Sequence, residues 1–194
     1  MIQIVGTTHL TLKEEIIKII EEFKPDIICV ELCQTRLNAL VLNPVKQEVK
    51  EDNSLIGKIS SAIKKKAEEN KVEYGSDMIN ASKYALENNI RLELVDKDVN
   101  EIRTLMDLIP QNEMMGFMNE LAKFENDNLN REVNEKEVLN ELKTKYPVSF
   151  EFLITSRELF ILNNILKLQL NNSNKRILIF LGKGHVNSIM EGLK

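Results

Sequence analysis

Four short segments rich in apolar residues stand out in the pattern of hydrophobic and polar positions along the chain. They occupy residues 2–5, 27–30, 91–95 and 177–181. Runs of this length are typical of strands rather than helices, and the unbroken apolar character of residues 27–30 favours a strand covered on both faces. The pattern therefore predicts four strands.

The segments between these runs carry helical periodicity. Thr11 and Glu14 have the spacing of a capping box, in which each side chain satisfies a backbone N–H of the other residue, and they predict a helix over 12–23. Its inward face is predicted to consist of Ile16, Ile17, Ile19 and Ile20. Further helices are predicted over 33–42, 54–70 and 76–87, the last with an inward face of Met78, Ala81, Ala85 and Leu86.

Residues 99–171 show helical periodicity without a clear strand. Thr155 and Glu158 form a second capping box, which predicts the start of a helix with an apolar inward face. The side chains of that face are Leu159, Ile161, Leu162, Ile165, Leu166 and Leu168.

Strands that alternate with helices predict right-handed βαβ units. The predicted fold class is therefore α/β, with a mostly parallel sheet flanked by helices and a helical insertion, at about 99–171, before the last strand. A length of 194 residues fits a single domain over 1–194. The helical insertion also offers a face through which a homodimer could form.

The predicted strands end in polar or glycine-containing tips. These tips are Gly6-Thr7-Thr8-His9, Glu31, Asp96-Lys97-Asp98 and Gly182-Lys183-Gly184-His185. Because the carboxyl ends of parallel strands share one edge, where ligands bind in such folds, we expect the tips to meet there. The two histidines of the chain would then lie close together although they are near opposite ends of the sequence.

Composition narrows the classes of function. The net charge of −4 and the pI near 5.4 argue against a nucleic-acid-binding protein, which usually has a basic surface. No apolar stretch reaches the roughly 18–20 residues of a membrane span, and the first residues lack the basic start of a signal peptide. We therefore expect a cytoplasmic protein in which Cys29 and Cys33 remain thiols.

His9, Glu31 and His185 are the predicted catalytic and metal-binding residues. Two imidazoles with a carboxylate suit a divalent ion such as manganese, cobalt or zinc. Such an ion lowers the pKa of its bound water, which can then attack an amide or ester carbonyl. The alternative is that each histidine only caps a turn or a helix start.

Other residues near these tips are predicted to bind substrate. The set consists of Gly6, Arg36, Asp77, Lys97, Arg157, Gly182 and Gly184. Arg36 could instead pair with Glu31, and Asp77 could serve only to cap a helix. Arg157 lies in the first turn of a predicted helix, against the dipole preference, which suggests another partner such as a substrate carboxylate.

Three further residues have open roles. Asp96 and Asp98 either orient a histidine or are ordinary turn residues. Cys33 is either a nucleophile with a histidine as its base or a small buried side chain, and the nearby carboxylate of Glu31 favours the second role because it would raise the pKa of a thiol.

These motifs, taken in order, resemble those of the TraB/PrgY family. The matching elements are Gly6-Thr7-Thr8-His9, Pro25-Asp26, Glu31-Leu32-Cys33 with Arg36, Gly75-Ser76-Asp77, Val95-Asp96-Lys97-Asp98-Val99, Arg157 and Gly182-Lys183-Gly184-His185-Val186. The resemblance implies an α/β fold with a polar cleft suited to metal-dependent hydrolysis. The wider relatives include the TIKI proteins, which resemble metal-dependent proteases, and erythromycin-esterase-like and ChaN-like proteins. TraB and PrgY are themselves linked to the shutdown of peptide pheromone signals.

The sequence departs from this family pattern at three positions. Asp77 and Ser156 each stand in place of a glutamate, and Lys97 stands in place of an arginine. Lys97 keeps the charge but lacks the planar fork that grips carboxylates. Two functions therefore remain open: a metal-dependent, peptidase-like hydrolase, or a non-catalytic regulatory module that binds a peptide or a small ligand on a degenerate site.

Overall fold

The computed structural model describes residues 1–7, 11–42, 75–127 and 135–194. The strands within these ranges are β1 (Ile2–Thr7), β2 (Ile27–Val30), β3 (Arg91–Leu94) and β4 (Ile177–Gly182). They form one sheet in the order β1-β4-β2-β3, and every neighbouring pair is parallel. Each predicted strand is present, and the predicted parallel arrangement is confirmed.

Helices flank this sheet. Those in the described ranges are α1 (Lys13–Phe23), α2 (Gln34–Leu37), α3 (Ser76–Glu87), α4 (Val99–Met106), α5 (Gln111–Asp127), α6 (Glu135–Lys145), α7 (Pro147–Phe150), α8 (Ser156–Asn171) and α9 (Lys183–Gly192). A π-helical turn, Asn38–Leu42, continues α2, and a second, Glu151–Thr155, joins α7 to α8. The predicted α/β class is confirmed, with a helical stretch before the last strand. The helix predicted over 54–70 lies outside the described residues.

Both faces of the sheet are covered. The side chains of β2 alternate, with Ile28 and Val30 on one face and Ile27 and Cys29 on the other. The first face packs against α1 and α3 through Ile16, Ile20, Phe23, Met78, Ala81 and Ala85. The second face packs against α8 and α9 through Ile161, Ile165, Leu168 and Ile189. Burial on both faces explains why β2 and β4 are continuously apolar.

The helix that follows β4 lies on the opposite face of the sheet from the helices that follow the neighbouring strands, β1 and β2. The helices that follow β1 and β2 cover one face, whereas α9, which follows β4, covers the other. In open α/β sheets, neighbouring strands whose connections diverge in this way leave a crevice at their carboxyl ends, and ligands bind there. The carboxyl end of β4 therefore lies between two such crevices.

The chain divides into two compact units. The first consists of Met1–Asp98 and Phe160–Lys194, and the second of Val99–Leu159. The helical stretch predicted over 99–171 is thus shared between them. From Phe160 onward it belongs to the first unit, because the buried side chains of α8 cover one face of the sheet.

Neither predicted capping box forms, although a helix begins at each of the two places. The N-cap of α1 is Leu12, which makes no side-chain capping hydrogen bond, and the helix begins at Lys13. The second predicted helix does begin at Ser156, as Thr155 and Glu158 indicated, but the π-helical turn Glu151–Thr155 runs directly into it. A continuing helix has no free N–H groups for a cap to satisfy, so the local sequence signal has no target.

Two apolar side chains that were expected to face inward are exposed. Leu86 is 45% exposed near the end of α3, and Leu159 is 54% exposed near the start of α8. The neighbouring residues Ala85 and Ile161 are fully buried.

Among the helices described here, none combines the length and hydrophobicity that crossing a lipid bilayer requires.

Candidate functional site

Glu31 is a buried carboxylate at the carboxyl end of β2. Its backbone N–H donates to the carbonyl of Phe180 at 3.2 Å, which extends the β2–β4 ladder by one residue. Its side chain then crosses to the end of β4, where Oε2 accepts the backbone N–H of Gly182 at 2.7 Å. The residue is only 5% exposed. A carboxylate held in this way has one oxygen fixed by the main chain of the neighbouring strand.

His185 lies on the other oxygen of the same carboxylate. Its Nε2 is 3.6 Å from Glu31 Oε1, and the side chain of His185 is 11% exposed. This distance is longer than a hydrogen bond, but it permits a strong electrostatic contact when the imidazole is protonated. The predicted approach of strand tips therefore holds for Glu31 and His185.

The position of His185 follows from the way in which β4 ends. Gly182 is both the last residue of β4 and the N-cap of α9, so the strand passes into the helix without a loop. Gly184 is in the first turn of that helix. No glycine turn separates β4 from His185, because Gly182 ends the strand and Gly184 lies in the first turn of the helix.

Gly6 serves close packing rather than a turn. It lies within β1, opposite Leu181, and β1 continues to Thr7. A Cβ at this position would lie 2.8 Å from Cγ2 of Val186, which is on α9. The absence of a side chain at Gly6 lets α9, and with it His185, approach the sheet.

A second buried carboxylate lies at the end of β1. Asp77, in the first turn of α3, is fully buried, and Thr7 is 3% exposed. The hydroxyl of Thr7 donates to Asp77 Oδ2, and the backbone N–H of Met78 donates to Oδ1 at 2.8 Å. Asp77 therefore fastens the start of α3 to the edge of the sheet. Thr7 was not among the predicted site residues, although its place at a strand end, two positions before His9 in the sequence, was a usable signal.

Arg36 contacts the main chain of Glu31, not its carboxylate. Its Nη1 is 3.5 Å from the carbonyl oxygen of Glu31 and 3.6 Å from Oδ2 of Asp96, whose side chain has no exposed surface. The alternative of an Arg36–Glu31 side-chain pair is therefore wrong, because the Glu31 carboxylate faces β4 while Arg36 faces the end of β3. Asp96 also accepts the backbone N–H of Lys97 at 2.8 Å.

The remaining predicted residues occupy different surroundings. Asp98 accepts the hydroxyl of Thr35 at 2.9 Å. The ammonium of Lys97 lies 5.9 Å from the ring centre of Phe160, a cation–π arrangement. Arg157 is half-buried at the start of α8 and belongs to the second unit.

The described part of the chain supplies two candidate metal ligands that lie together, Glu31 and His185. In residues 1–7, 11–42, 75–127 and 135–194, no group of three histidine, cysteine, aspartate or glutamate side chains is placed to hold a metal ion. His9 lies outside the described residues. Its role as a third ligand therefore stays a prediction.

Both cysteines are buried thiols. Cys33 is 5% exposed at the N-cap of α2, and Cys29 is fully buried in β2. Burial raises the pKa of Cys29, with a smaller contribution from the charge of Glu93. A thiol that holds its proton is a poor nucleophile, so Cys29 is a core residue, and Cys33 has the burial expected of one.

No protein-family model matches the chain, and no curated protein matches it. The likeness to the TraB/PrgY family therefore depends on the quoted motifs and stays a prediction. The geometry itself offers a buried carboxylate–imidazole pair at the crevice beside β4, which can exchange protons or hold a cation.

Proposed function

We propose that this protein is a hydrolase of the TraB/PrgY type that acts on an amide or ester carbonyl of a peptide or small molecule. Glu31 and His185 form its centre. The observation that supports this proposal best is their approach to 3.6 Å from two different strand ends. Both side chains are largely buried, and the pair lies where ligands bind in open α/β sheets.

The donor atoms of the pair fit a divalent metal ion. A carboxylate oxygen and an imidazole nitrogen are ligands that zinc, manganese and cobalt accept in proteins. Glu31 and His185 would supply these two donors, and His9 is the proposed third. The ion would supply Lewis-acid chemistry and a bound water of lowered pKa.

The residues of the chain prepare the site for this chemistry. The N–H of Gly182 holds one oxygen of Glu31 and turns the other toward His185. Burial excludes most water from the pair, which strengthens electrostatic interactions there. As ligands of the ion, Glu31 would be ionised and His185 neutral, so the proton that leaves the nucleophile would pass to water or to a group outside this pair.

Metal binding provides the first test. Manganese, cobalt or zinc should raise the Tm of the wild-type protein in a concentration-dependent way, since an ion that binds only the folded state stabilises it. We expect Glu31→Gln and His185→Ala to lose this shift. Glu22→Gln, at a side chain 68% exposed on α1, is the matched control and should retain it.

Hydrolysis provides the second test. Release of product from a panel of ester and peptide substrates should occur with the wild-type protein and with Glu22→Gln. It should be absent for the double variant His9→Ala/His185→Ala at an unchanged far-ultraviolet circular dichroism spectrum. Wild-type activity in the double variant would refute the proposal.

A regulatory binding module is the second candidate. It is favoured by Asp77, which stands where the family pattern has a glutamate and is fully buried, with both carboxylate oxygens bonded to Thr7 and Met78. A carboxylate used in this way serves the fold. Peptide binding without any metal-dependent shift in Tm and without turnover would favour this candidate over the hydrolase.

A further inference from the structure

Arg36 lies beside the Glu31–His185 pair with much of its hydrogen-bonding capacity unused. Its side chain is 28% exposed, and both of its contacts, to Asp96 and to the main chain of Glu31, are made by Nη1. Within the described part of the chain, Nε and Nη2 have no hydrogen-bond partner. A guanidinium carries five N–H donors, and most of these face no acceptor among the described residues.

The contacts that Arg36 does make are long. They measure 3.5 Å and 3.6 Å, which is at or beyond the limit for a hydrogen bond. Arg176 shows what a structural arginine looks like in the same fold. Its Nε donates to the carbonyl of Phe23 at 2.9 Å, and its guanidinium lies 4.6 Å from the ring centre of Phe23.

We propose that Arg36 anchors a carboxylate of the ligand, and that the site takes peptides by their free C-terminal carboxylate. The edge formed by Nε and Nη2 is planar and matches a carboxylate in a two-bond, bidentate contact. This inference rests on the proposed location of the site at Glu31 and His185, but it does not require that the site hydrolyses what it binds.

The spacing fits a ligand held by its end. Arg36 contacts the main chain of Glu31, so the anchor lies close to the pair, on the side of Glu31 toward the end of β3. One residue of an extended peptide spans roughly 3.3–3.6 Å. A carboxylate on Arg36 would therefore bring one of the last peptide bonds of the ligand beside Glu31 and His185.

The surrounding charges are mixed. The carboxylates of Glu31 and Asp96 oppose an anionic ligand, and Arg36 lies against both residues. Lys97 and Lys183, at the ends of β3 and β4, add positive charge. A bidentate anchor is needed in such a setting, because diffuse positive charge alone would not outweigh two carboxylates.

The test compares two forms of one ligand set. Acetylated tripeptides of randomised sequence are prepared as free acids and as C-terminal amides, and their binding is measured by equilibrium dialysis with mass spectrometry. A chelator is present, so that the result does not depend on metal or turnover. We expect the wild-type protein to prefer the free acids by roughly tenfold, since a charge-assisted pair is among the stronger hydrogen bonds.

Substitution identifies the anchor. Arg36→Gln should abolish the preference for free acids, and Arg36→Lys should lose most of it, because lysine keeps the charge without the fork. Arg91→Gln, at the amino end of β3, is the matched control and should bind as the wild-type protein does. The lysine variant keeps the test valid if the glutamine variant does not fold.

Several outcomes would overturn the proposal. Equal binding of acids and amides, binding of neither form, or a preference that survives in both Arg36 variants would each do so. Acetate or succinate that binds as tightly as the peptides would assign the anchor to small carboxylic acids and refute the peptide terminus. A preserved preference without any metal-induced shift in Tm would leave the anchor intact and count against the hydrolase only.

Discussion

Two serines on the same helix differ in how their hydroxyls are satisfied. Ser82 is fully buried, and its hydroxyl has no hydrogen-bond partner in the described residues. Ser76, in the first turn of α3, donates to the carbonyl of Thr11 at 3.0 Å. Burial of an unsatisfied hydroxyl costs about 1–3 kcal/mol, whereas a formed hydrogen bond contributes about 1 kcal/mol.

Alanine at these two positions should therefore have opposite effects. We expect Ser82→Ala to leave the free energy of unfolding unchanged or to raise it by up to about 1 kcal/mol, and Ser76→Ala to lower it by about 1 kcal/mol. Urea unfolding of both variants beside the wild-type protein measures the difference. A loss at Ser82 equal to that at Ser76 would mean that the Ser82 hydroxyl has a partner.

Asp26 stabilises the folded state by an amount that depends on pH. The backbone N–H of Arg176 donates to its Oδ2 at 2.8 Å, and Lys175 lies 3.4 Å from Oδ1. The hydrogen bond first, and then the charge of Lys175, lower the pKa of Asp26 below its usual value of 3.8. The folded state thus favours the ionised form more than the unfolded state does.

The stability that Asp26 supplies is complete above the usual carboxyl pKa and is lost as the pH falls through the lower pKa of the folded state. Asp26→Asn should be less stable than the wild-type protein at pH 7, and this gap should shrink below about pH 4. Urea unfolding at several pH values tests this expectation. Glu87→Gln, at an exposed carboxylate of α3, controls for the general loss of negative charge, and a gap independent of pH would contradict the prediction.

At the scale of the elements, Arg176 fastens the end of α1 to the start of β4. Its guanidinium donates to the carbonyls of Phe23 and Lys24 and stacks on the ring of Phe23. Lys24, the C-cap of α1, has a positive φ of 51°. The arginine thus satisfies carbonyls that the helix leaves open at its end.

We expect Arg176→Ala to lower the free energy of unfolding by about 1–3 kcal/mol, since it removes charge-assisted hydrogen bonds and a cation–π contact. Arg176→Lys should recover only part of this loss, because lysine cannot reach both carbonyls with a planar fork. Arg91→Ala is the control. Its partner Glu93 forms an exposed ion pair, which is worth about 0–1 kcal/mol. Equal losses at Arg176 and Arg91 would contradict this account.

For the whole molecule, the sheet order predicts where the fold is most resistant to opening. β4 lies between β1 and β2 and is buried along its full length, whereas β1 and β3 are the edges of the described sheet. Amides of β2 and β4 should exchange with solvent only through global unfolding, and those of β1 and β3 earlier. Hydrogen exchange followed by mass spectrometry measures this order. Faster exchange in β4 than in β1 would contradict it.

The arrangement of the sheet could be predicted from sequence because it follows from patterns along the chain. Short apolar runs separated by helices dictate parallel strands, and parallel strands bring their carboxyl ends together, which is why Glu31 and His185 meet. The partners of Arg36 and Asp77 could not be predicted in this way. They depend on side-chain rotamers and on which helix lies beside which strand end, and periodicity does not encode either of these.

Local signals failed where tertiary structure overrode them. The Thr155–Glu158 spacing is that of a helix start, but the helix was already under way through the π-helical turn Glu151–Thr155. Leu86 has the spacing of an inward residue, yet it is 45% exposed in the last turn of α3, where its neighbour Ala85 takes the buried position. The local sequence around Thr155 or Leu86 does not reveal either of these structural surroundings.

Because β4 passes directly into α9, the position of the His185 imidazole relative to the sheet is fixed by the chain itself. Each residue added after Gly182 would rotate the helix by about 100° about its axis and carry the ring of His185 away from Glu31. A longer loop between β4 and α9 would therefore separate His185 from Glu31, so insertions at this point are not expected to be tolerated. A change in specificity is therefore expected at α2 and the end of β3, where Arg36 and Asp96 lie.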